Sequence, residues 1–216
     1  MKEQTVIVSG GAIEESFALA VLKNKRTTCV IGVDKGLFFL HRQRIKVDYI
    51  VGDFDSISPE IITYYRKRKV PVFQHRTEKN CSDTELAIRF CVNHGKKNIR
   101  ILGATGSRLD HMLGNIQSLR IATEKGFDAQ ILDAHNRIRL LNKSWKLKKE
   151  EAFGSFFSVF PLGEDRIPIT IRGAKYPLTN HILTANNSLC VSNEFAAEEI
   201  EILLLWGMVI FVESRD

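Results

Sequence analysis

The sequence predicts a mixed α/β protein, in which a parallel sheet with helices on both faces precedes a small all-β sandwich. Two observations favour this fold class. In residues 1–133, short β-branched runs alternate with segments of helical period, a pattern typical of parallel sheets covered by helices. In residues 134–216, alternating apolar and polar residues replace the helical period and predict strands. We therefore expect two domains, 1–133 and 134–216.

Six strands are predicted in the first region. They are Thr5–Val8, Cys29–Val33, Tyr49–Val51, Val70–Phe73, Asn98–Leu102 and Ala129–Leu132. Ser58-Pro59 favours a helix with proline at its first position, and Ser82-Asp83-Thr84-Glu85 is typical of a capping box. Apolar residues at helical spacing predict that helices run through residues 86–91 and 109–119.

The second region is predicted to contain only strands. Its apolar segments are Ile138–Leu140, Trp145–Leu147, Phe153–Phe160, Ile167–Ile171, Ile200–Leu205 and Met208–Val212. A domain of roughly 80 residues has a small core. We expect it to bury one face against the first domain or a second subunit.

Composition narrows the possible functions. The chain has 216 residues, of which 44% are hydrophobic and 26% are charged, so a disordered or collagen-like protein is excluded. The longest apolar run, Leu203–Val212, is too short to cross a bilayer, and the first ten residues lack a secretory core segment. We therefore expect a soluble, cytoplasmic protein that does not bind membranes. Its net charge of +6 is not gathered in one basic arm, which argues against a nucleic-acid partner.

Acidic residues follow the ends of the predicted strands. Asp34, Asp53, Asp55, Asp83 and Asp110 all come shortly after an apolar run. The carboxyl ends of parallel strands meet at one edge of a sheet, which is where open α/β sheets bind ligands. If the first domain is Rossmann-like, several carboxylates therefore share one crevice.

Clustered carboxylates repel one another unless a cation offsets their charge. Asp53 and Asp55 would point to the same side of an extended segment, and a set of oxygen ligands favours Mg²⁺, which usually brings phosphates with it. Lys79 and Arg108 could neutralise phosphoryl oxygens. Glycines at positions 10, 11, 52, 103 and 106 would let the backbone approach a bulky anion, although they also suit tight turns.

Some of these acids also have a purely structural explanation. Asp83 and Asp110 fall in the first turns of predicted helices, where the helix dipole favours a carboxylate. Asp34 could cap the helix that follows it. The Gly52–Ser56 segment is harder to explain in this way, because three of its five side chains carry oxygens that can accept hydrogen bonds or bind a metal.

At these residues the chain resembles the thiamine pyrophosphokinase family, whose members transfer a diphosphoryl group from ATP to thiamine. Four segments match the family pattern in order and spacing, namely Val33–Gly36, Gly52–Ser56, Lys79–Glu85 and Gly103–Asn115. Val191–Asn193 and Leu204–Met208 are similar to later family segments. Asn80 stands where the family usually has Asp, which removes one negative charge from the implied metal edge.

The resemblance implies that the thiamine hydroxyl attacks the β-phosphorus of ATP and that AMP leaves. The catalytic residues it implies are Asp34, Asp53, Asp55, Asp83, Arg108 and Asp110. Of these, Asp53, Asp55 and Asp83 would hold Mg²⁺, and Asp34 would organise that shell. Arg108 would contact the polyphosphate. Asp110 would orient the hydroxyl or accept its proton, for which a carboxylate crowded by others can have a raised pKa.

The resemblance also implies a set of substrate-binding residues and a homodimer. The set comprises Lys79, Ser82, Thr105, Ser107, His111, Asn115, Ser192, Asn193 and Trp206. Ser192 and Asn193 would hydrogen-bond the aminopyrimidine of thiamine. Trp206 would stack on a ring of the substrate, because the negative face of an indole suits a cationic heterocycle.

Two other functions remain open at this stage. An Asp-x-Asp segment after a strand is also how haloacid-dehalogenase-like phosphatases place an aspartyl nucleophile, here Asp53. A non-catalytic nucleotide-binding or RNA-binding module would instead use the basic surface. That second alternative leaves the acidic cluster unexplained, because acids repel phosphates unless a metal is present.

Overall fold

A computed structural model describes residues 3–53, 57–74 and 81–216. The chain divides into two compact units, Met1–Ala134 and His135–Asp216. In the described residues, no helix is long and apolar enough to span a membrane.

The first unit contains a parallel sheet. Its strands are β1 (Gln4–Val8), β2 (Thr27–Val33), β3 (Tyr49–Gly52), β4 (Val72–Gln74), β5 (Asn98–Leu102) and β6 (Asp128–Leu132). Its helices are α1 (Glu15–Leu22), α2 (Gly36–Arg42), α3 (Pro59–Lys67), α4 (Asp83–Asn93) and α5 (Leu109–Thr123). The strand order is β4-β3-β2-β1-β5-β6, and every pair in it is parallel. The predicted parallel sheet is thereby confirmed.

Helices pack against both faces of this sheet. Val6, Val30 and Ile50 lie in one buried cluster with side chains of α1, α2 and α3. Successive strand residues point to opposite faces. Accordingly Tyr49, next to Ile50, lies on the other face, where its ring centroid is 5.0 Å from that of Phe90 in α4. The strands are therefore buried on both sides, which explains their near-continuous apolar sequences.

The predicted start of the fourth strand, at Val70, is wrong by two residues. Lys69 has a φ of +58°, and the Val70 N–H donates to the Tyr65 carbonyl at 3.2 Å while the Lys69 N–H donates to that of Arg66 at 2.9 Å. This pattern is a Schellman motif, which closes the C-terminus of a helix. Val70 is therefore part of the turn that follows α3 and caps it, although its β-branched side chain favours a strand.

The second unit consists of strands and one short 3₁₀ segment, Lys149–Glu151. Its strands are β7 (Asn136–Leu141), β8 (Trp145–Lys148), β9 (Phe156–Leu162), β10 (Arg166–Arg172), β11 (Leu178–Thr184), β12 (Asn193–Glu194), β13 (Glu199–Leu204) and β14 (Met208–Ser214). Antiparallel pairing joins them in the orders β12-β9-β14-β7 and β11-β10-β13-β8. One buried cluster contains side chains from both groups, including Phe157, Phe211, Ile169 and Ile202.

Strand β11, which lies at an edge of its sheet, is not among the strands predicted from the sequence. It pairs with β10 alone among the described strands. Most of its side chains, such as Thr179 and Asn180, are exposed or half-buried. An edge strand with little buried surface has only a weak apolar alternation, so a pattern based on burial does not reveal it.

A buried ion pair stabilises the second unit. The Glu213 side chain is 1% exposed and accepts hydrogen bonds from Nε and Nη2 of Arg137, the first at 2.6 Å. It also accepts the Phe153 N–H at 2.9 Å, and Arg139 lies 3.8 Å away. Because Arg137 and Glu213 are register partners in β7 and β14, this pair ties two adjacent strands together.

We expect Glu213→Ala to lower the free energy of unfolding of the second unit by about 3–5 kcal/mol, because the mutation leaves the Arg137 charge buried without its partner. Urea unfolding followed by tryptophan fluorescence measures this loss, since Trp145 and Trp206, the two tryptophans of the chain, both lie in this unit. Glu199→Ala is the control. Glu199 pairs with Lys146 on the surface, where such pairs contribute about 0–1 kcal/mol. Equal losses in the two variants would contradict the prediction.

Candidate active site at the carboxyl edge of the parallel sheet

A cleft of about 840 Å³ lies at the carboxyl ends of the parallel strands. Loops after β1, β2, β3 and β5 line it, together with the first turns of α4 and α5. Strands β1 and β5 are neighbours in the sheet although three strands separate them in sequence, so the strand order reverses between them. Open α/β sheets bind ligands at such a reversal, because the two loops leave the sheet in different directions.

Backbone contacts between the loops after β1 and β5 form one wall of the cleft. The Gly11 N–H donates to the Gly103 carbonyl at 2.7 Å, and the Ala12 N–H donates to that of Thr105 at 2.8 Å. A methyl group on Gly11 would lie 2.3 Å from the Thr105 oxygen, and Gly103 has a φ of +65°. The sequence suggested that these glycines give access to an anion. For Gly11 and Gly103, the group that comes close is the protein's own backbone.

Three of the predicted carboxylates line this cleft from different elements. Asp34 follows β2, Asp53 follows β3, and Asp83 begins α4. All three residues are half-buried. Asp55 and Lys79, which the sequence analysis also assigned to this site, lie outside the described residues.

Asp34 occupies a sharp turn between β2 and α2. Its φ is +47°, a left-handed conformation that Asp adopts more readily than most residues. The turn brings Gly36, the first residue of α2, so close to β1 that an added Cβ would lie 2.1 Å from the Val8 oxygen. The direction of the Asp34 side chain is therefore set by a strained backbone and a tight helix start.

The donor chemistry of the cleft fits Mg²⁺ that arrives with a phosphate ligand. Within residues 3–53, 57–74 and 81–216, no three His, Cys, Asp or Glu side chains form a group that could hold a metal ion. Mg²⁺ usually takes one or two carboxylates and completes its octahedral shell with water and substrate phosphates. The carboxylates of Asp34, Asp53 and Asp83 supply that kind of ligand.

Arg108 and Asp110 form a bidentate ion pair at the start of α5. Nε of Arg108 donates to Oδ1 of Asp110 at 3.2 Å, and Nη2 donates to Oδ2. The hydrogen bonds from Arg108 lower the pKa of Asp110 from 3.8 to about 2, with a further contribution from the His111 backbone. The expected rise in the pKa of this residue is therefore wrong, because its nearest charged neighbour is a cation and not another carboxylate.

Most of the other predicted residues of the first unit also line the cleft. They are Ser82, Thr105, Ser107, Arg108, His111 and Asn115. Ser82 caps α4, its hydroxyl accepting the Glu85 N–H at 3.2 Å. Asn115 is buried, and its Nδ2 donates to the Ala104 carbonyl at 2.9 Å. Asn115 therefore holds the loop after β5 against α5.

Lys35 also lines the cleft, and the sequence analysis assigned it no role. It is exposed and stands between Asp34 and the first residue of α2. The sequence feature that could have identified Lys35 as a site residue is its position directly after Asp34, the carboxylate at the end of β2. A cation on this wall can attract the same anionic ligand as Arg108.

The residues predicted in the second unit have different environments. Oδ1 of Asn193 accepts the N–H groups of Tyr176 and Glu194 at 3.0 and 2.9 Å, and its Nδ2 donates to the Tyr176 carbonyl at 2.8 Å. The Asn193 amide is therefore used to hold a loop. Ser192 is exposed, and its φ is +56°. Trp206 lies in the β13–β14 turn and is 49% exposed.

Both units of the chain are similar to domains of known proteins. The model described as the catalytic domain of thiamin pyrophosphokinase matches residues 21–131, and the model of its vitamin B1 binding domain matches residues 144–209. A thiamine pyrophosphokinase of Bacillus subtilis is 32% identical over 190 residues, which are 88% of this chain and 88% of that protein. A thiamine pyrophosphokinase of Oryza sativa is 28% identical over 179 residues, which are 76% of this chain and 67% of that protein.

Solved structures give the same result. The crystal structure of thiamine pyrophosphokinase from Bacillus subtilis has a TM-score of 0.86 at 31% identity and covers 99% of this chain and 100% of that chain. That of Geobacillus thermodenitrificans has a TM-score of 0.83 at 28% identity, with coverages of 98% and 97%. The yeast enzyme has a TM-score of 0.81 at 18% identity, covering 99% and 86%, a likeness of fold alone.

We expect Arg108→Ala to raise the pKa of Asp110 from about 2 towards 3.8, because the donor that stabilises the carboxylate is removed. An NMR titration of the carboxyl carbon between pH 1.5 and 6 measures this change. A lowered pKa stabilises the fold above pH 3.8, and that contribution is lost as the pH falls towards 2. Arg120→Ala is the matched control, since Arg120 pairs with Glu124 at the other end of α5. An unchanged Asp110 titration in Arg108→Ala would refute the assignment.

Proposed function

The chain belongs to the thiamine pyrophosphokinase family, and we propose that its cleft binds ATP with Mg²⁺ and transfers the diphosphoryl group to the hydroxyl of thiamine. The products are thiamine diphosphate and AMP. One observation carries the proposal: Asp34, Asp53 and Asp83 line a single cleft where the strand order reverses. A polyphosphate repels such a cluster unless a divalent cation lies between them, so the acids and the substrate imply the same metal.

The residues of the cleft would position charge, because phosphoryl transfer depends mainly on positioning and electrostatic stabilisation. Bound Mg²⁺ supplies positive charge opposite the phosphate oxygens. Asp53 and Asp83 would hold it, together with Asp55, whose assignment rests on the sequence. Asp34 would orient that shell from its strained turn, and Lys35 would contribute a second positive charge on the wall beside it.

Arg108 and Asp110 would change partners when ATP binds. Without substrate, the Arg108 guanidinium is held by the Asp110 carboxylate. Phosphate oxygens are equally good bidentate acceptors, so a bound polyphosphate would compete for Arg108. Asp110 would then accept the hydrogen bond of the thiamine hydroxyl and orient it. A strong base is not required, since the transition state is loose and needs little proton removal before attack.

The second unit would supply the thiamine site. We assign it as a β-sandwich with the vitamin-binding role of the matching family domain. Trp206 would stack on a ring of thiamine, and Ser192 would hydrogen-bond the aminopyrimidine. Asn193 would contribute by keeping the Tyr176 loop in place. The proposal includes a cytoplasmic homodimer, in which a second copy covers apolar side chains such as the exposed Leu205.

The two alternative functions have less support. A phosphatase of the haloacid-dehalogenase type would have to use Asp53 as its nucleophile, yet Asp53 comes after the second strand–helix unit of the chain, at the end of β3, and not after the first. Such an enzyme would also give no role to Arg108 and Asp110. A passive nucleotide or RNA binder does not account for three carboxylates in one cleft.

The proposal is tested by incubating the protein with Mg²⁺, ATP and thiamine and identifying the nucleotide product. We expect AMP to form only when thiamine is present. Release of inorganic phosphate without thiamine would favour the phosphatase. Nucleotide binding without turnover would favour the passive module.

Asp83→Asn keeps the shape of the side chain and removes its charge, so we expect kcat to fall by roughly 10²–10³-fold, the usual effect of losing one preorganised electrostatic contact. The steady-state rate of AMP formation measures this loss. Asp165→Asn is the control, because Asp165 is exposed in the β9–β10 turn of the other unit. An Asp83→Asn rate close to that of Asp165→Asn would remove Asp83 from the site.

Trp206→Ala should raise the KM for thiamine by about 2–30-fold, because a cation over an indole face gains roughly 0.5–2 kcal/mol. The KM for ATP should stay within a factor of two. Leu189→Ala removes another exposed apolar side chain of the same unit and serves as the control. If Trp206→Ala changed both KM values equally, the tryptophan would not be a thiamine ligand.

A further inference from the structure

Three loops of the cleft meet at Ser9, a residue that the sequence analysis did not single out. Ser9 directly follows β1, is 3% exposed and lines the cleft. Its N–H donates to the Leu102 carbonyl at 2.8 Å, which extends the contact between β1 and β5 beyond the strands. Two glycines lie close to its carbonyl oxygen, namely Gly36 at the start of α2 and Gly103 in the loop after β5. An added Cβ would lie 2.7 Å from it at Gly36 and 2.2 Å from it at Gly103.

The Ser9 hydroxyl connects this junction to a fourth segment. Ser9 Oγ lies 2.9 Å from Thr84 Oγ1, and either hydroxyl can donate. Thr84 is 7% exposed and is the second residue of α4, next to Asp83. The two residues are 75 positions apart in sequence. A buried hydroxyl that loses its partner destabilises the fold, so both groups favour the geometry in which they meet.

We propose that Ser9 and Thr84 are a positioning pair that holds the first turn of α4, and with it Asp83, at a set distance from the loops after β1, β2 and β5. This role rests on the proposed function, in which Asp83 is a Mg²⁺ ligand. We assign the two hydroxyls a positioning role and not a catalytic one, because they lie within hydrogen-bond distance of each other. The pair acts through Asp83, whose backbone is joined to Thr84 by one peptide bond.

The geometry explains why one hydrogen bond matters here. The Asp34 turn is held against Ser9 by the close approach of Gly36, and the loop after β5 is held by that of Gly103. Both contacts are between backbone groups and are rigid. The hydrogen bond between the Ser9 and Thr84 hydroxyls joins α4 to this junction through side chains. A displacement of about 1 Å at a reacting centre can cost roughly 10²-fold in rate.

A double-mutant cycle tests the proposal. Ser9→Ala and Thr84→Val remove one hydroxyl each, and Thr84→Ser retains the hydroxyl as the conservative rescue. Thr123→Val is the matched control, because Thr123 is 8% exposed, its hydroxyl donates to Leu119 within α5 at 3.0 Å, and it does not line the cleft. Each variant is assayed for kcat and for the KM of ATP. Calorimetry with Mg²⁺ and a non-hydrolysable ATP analogue measures binding independently of turnover, and circular dichroism gives the thermal midpoint.

We expect each single variant to lose about 10–100-fold in kcat and to bind the Mg²⁺–nucleotide about tenfold more weakly, as when a group that orients a metal ligand is removed. The double variant should have the same kcat and nucleotide affinity as the less active single variant. The reason is that the second mutation removes a hydroxyl that has already lost its partner. Thr84→Ser should stay within about threefold of the wild type. Thr123→Val should lower the thermal midpoint to a similar extent and leave kcat and binding unchanged.

The proposal is overturned if Thr84→Val binds the nucleotide and turns over like the wild type. It is also overturned if the free-energy losses of Ser9→Ala and Thr84→Val add in the double variant, or if Thr123→Val lowers kcat as much as Thr84→Val. If Ser9→Ala does not fold, the comparison of Thr84→Val with Thr84→Ser decides the question alone. A wild-type protein that forms no AMP with thiamine would refute the proposed function instead. The nucleotide-binding comparison among variants would still report whether the pair positions α4.

Discussion

The close approach of two backbone loops, those after β1 and β5, is the constraint on which the site depends. Gly11 and Gly103 permit it, because any side chain there would collide with carbonyl oxygens. With these loops in contact, Ser9 lies between the start of α2 and the loop after β5, and its hydroxyl reaches Thr84. Four segments of distant sequence therefore share one junction, and Asp34 and Asp83 are attached to it by short connections.

Electrostatics explains why such rigidity is needed. Carboxylates that share a cleft without a cation repel one another, and Asp34, Asp53 and Asp83 come to this cleft from three different elements. Under the proposed function, the frame would keep them around the cleft, and a bound divalent cation with its polyphosphate would offset their charge. Arg108, on the same cleft, is held by Asp110 in a bidentate ion pair.

In the second unit, the buried core and the half-exposed Trp206 are different parts of the structure. Its core contains Phe157 and Phe211, and the buried Arg137–Glu213 pair joins β7 to β14 at the margin of that core. Trp206 is half-exposed in a turn whose glycine, Gly207, has a φ of +89°. A packed scaffold thus presents a half-exposed aromatic side chain, which under the proposed function would stack on thiamine.

The sequence by itself determined the strands of the first unit, the starts of α3 and α4, the acids at the strand ends and the family motifs, because local patterning and short motifs carry these features. Only the tertiary structure decided what those residues touch. Ser9 meets Thr84 across 75 positions, Asp110 has a lowered and not a raised pKa, and the Asn193 amide holds a loop. Hydrogen-bond partners and charge neighbours depend on chain segments that are brought together only when the strands pair, and a linear pattern contains no record of those distances.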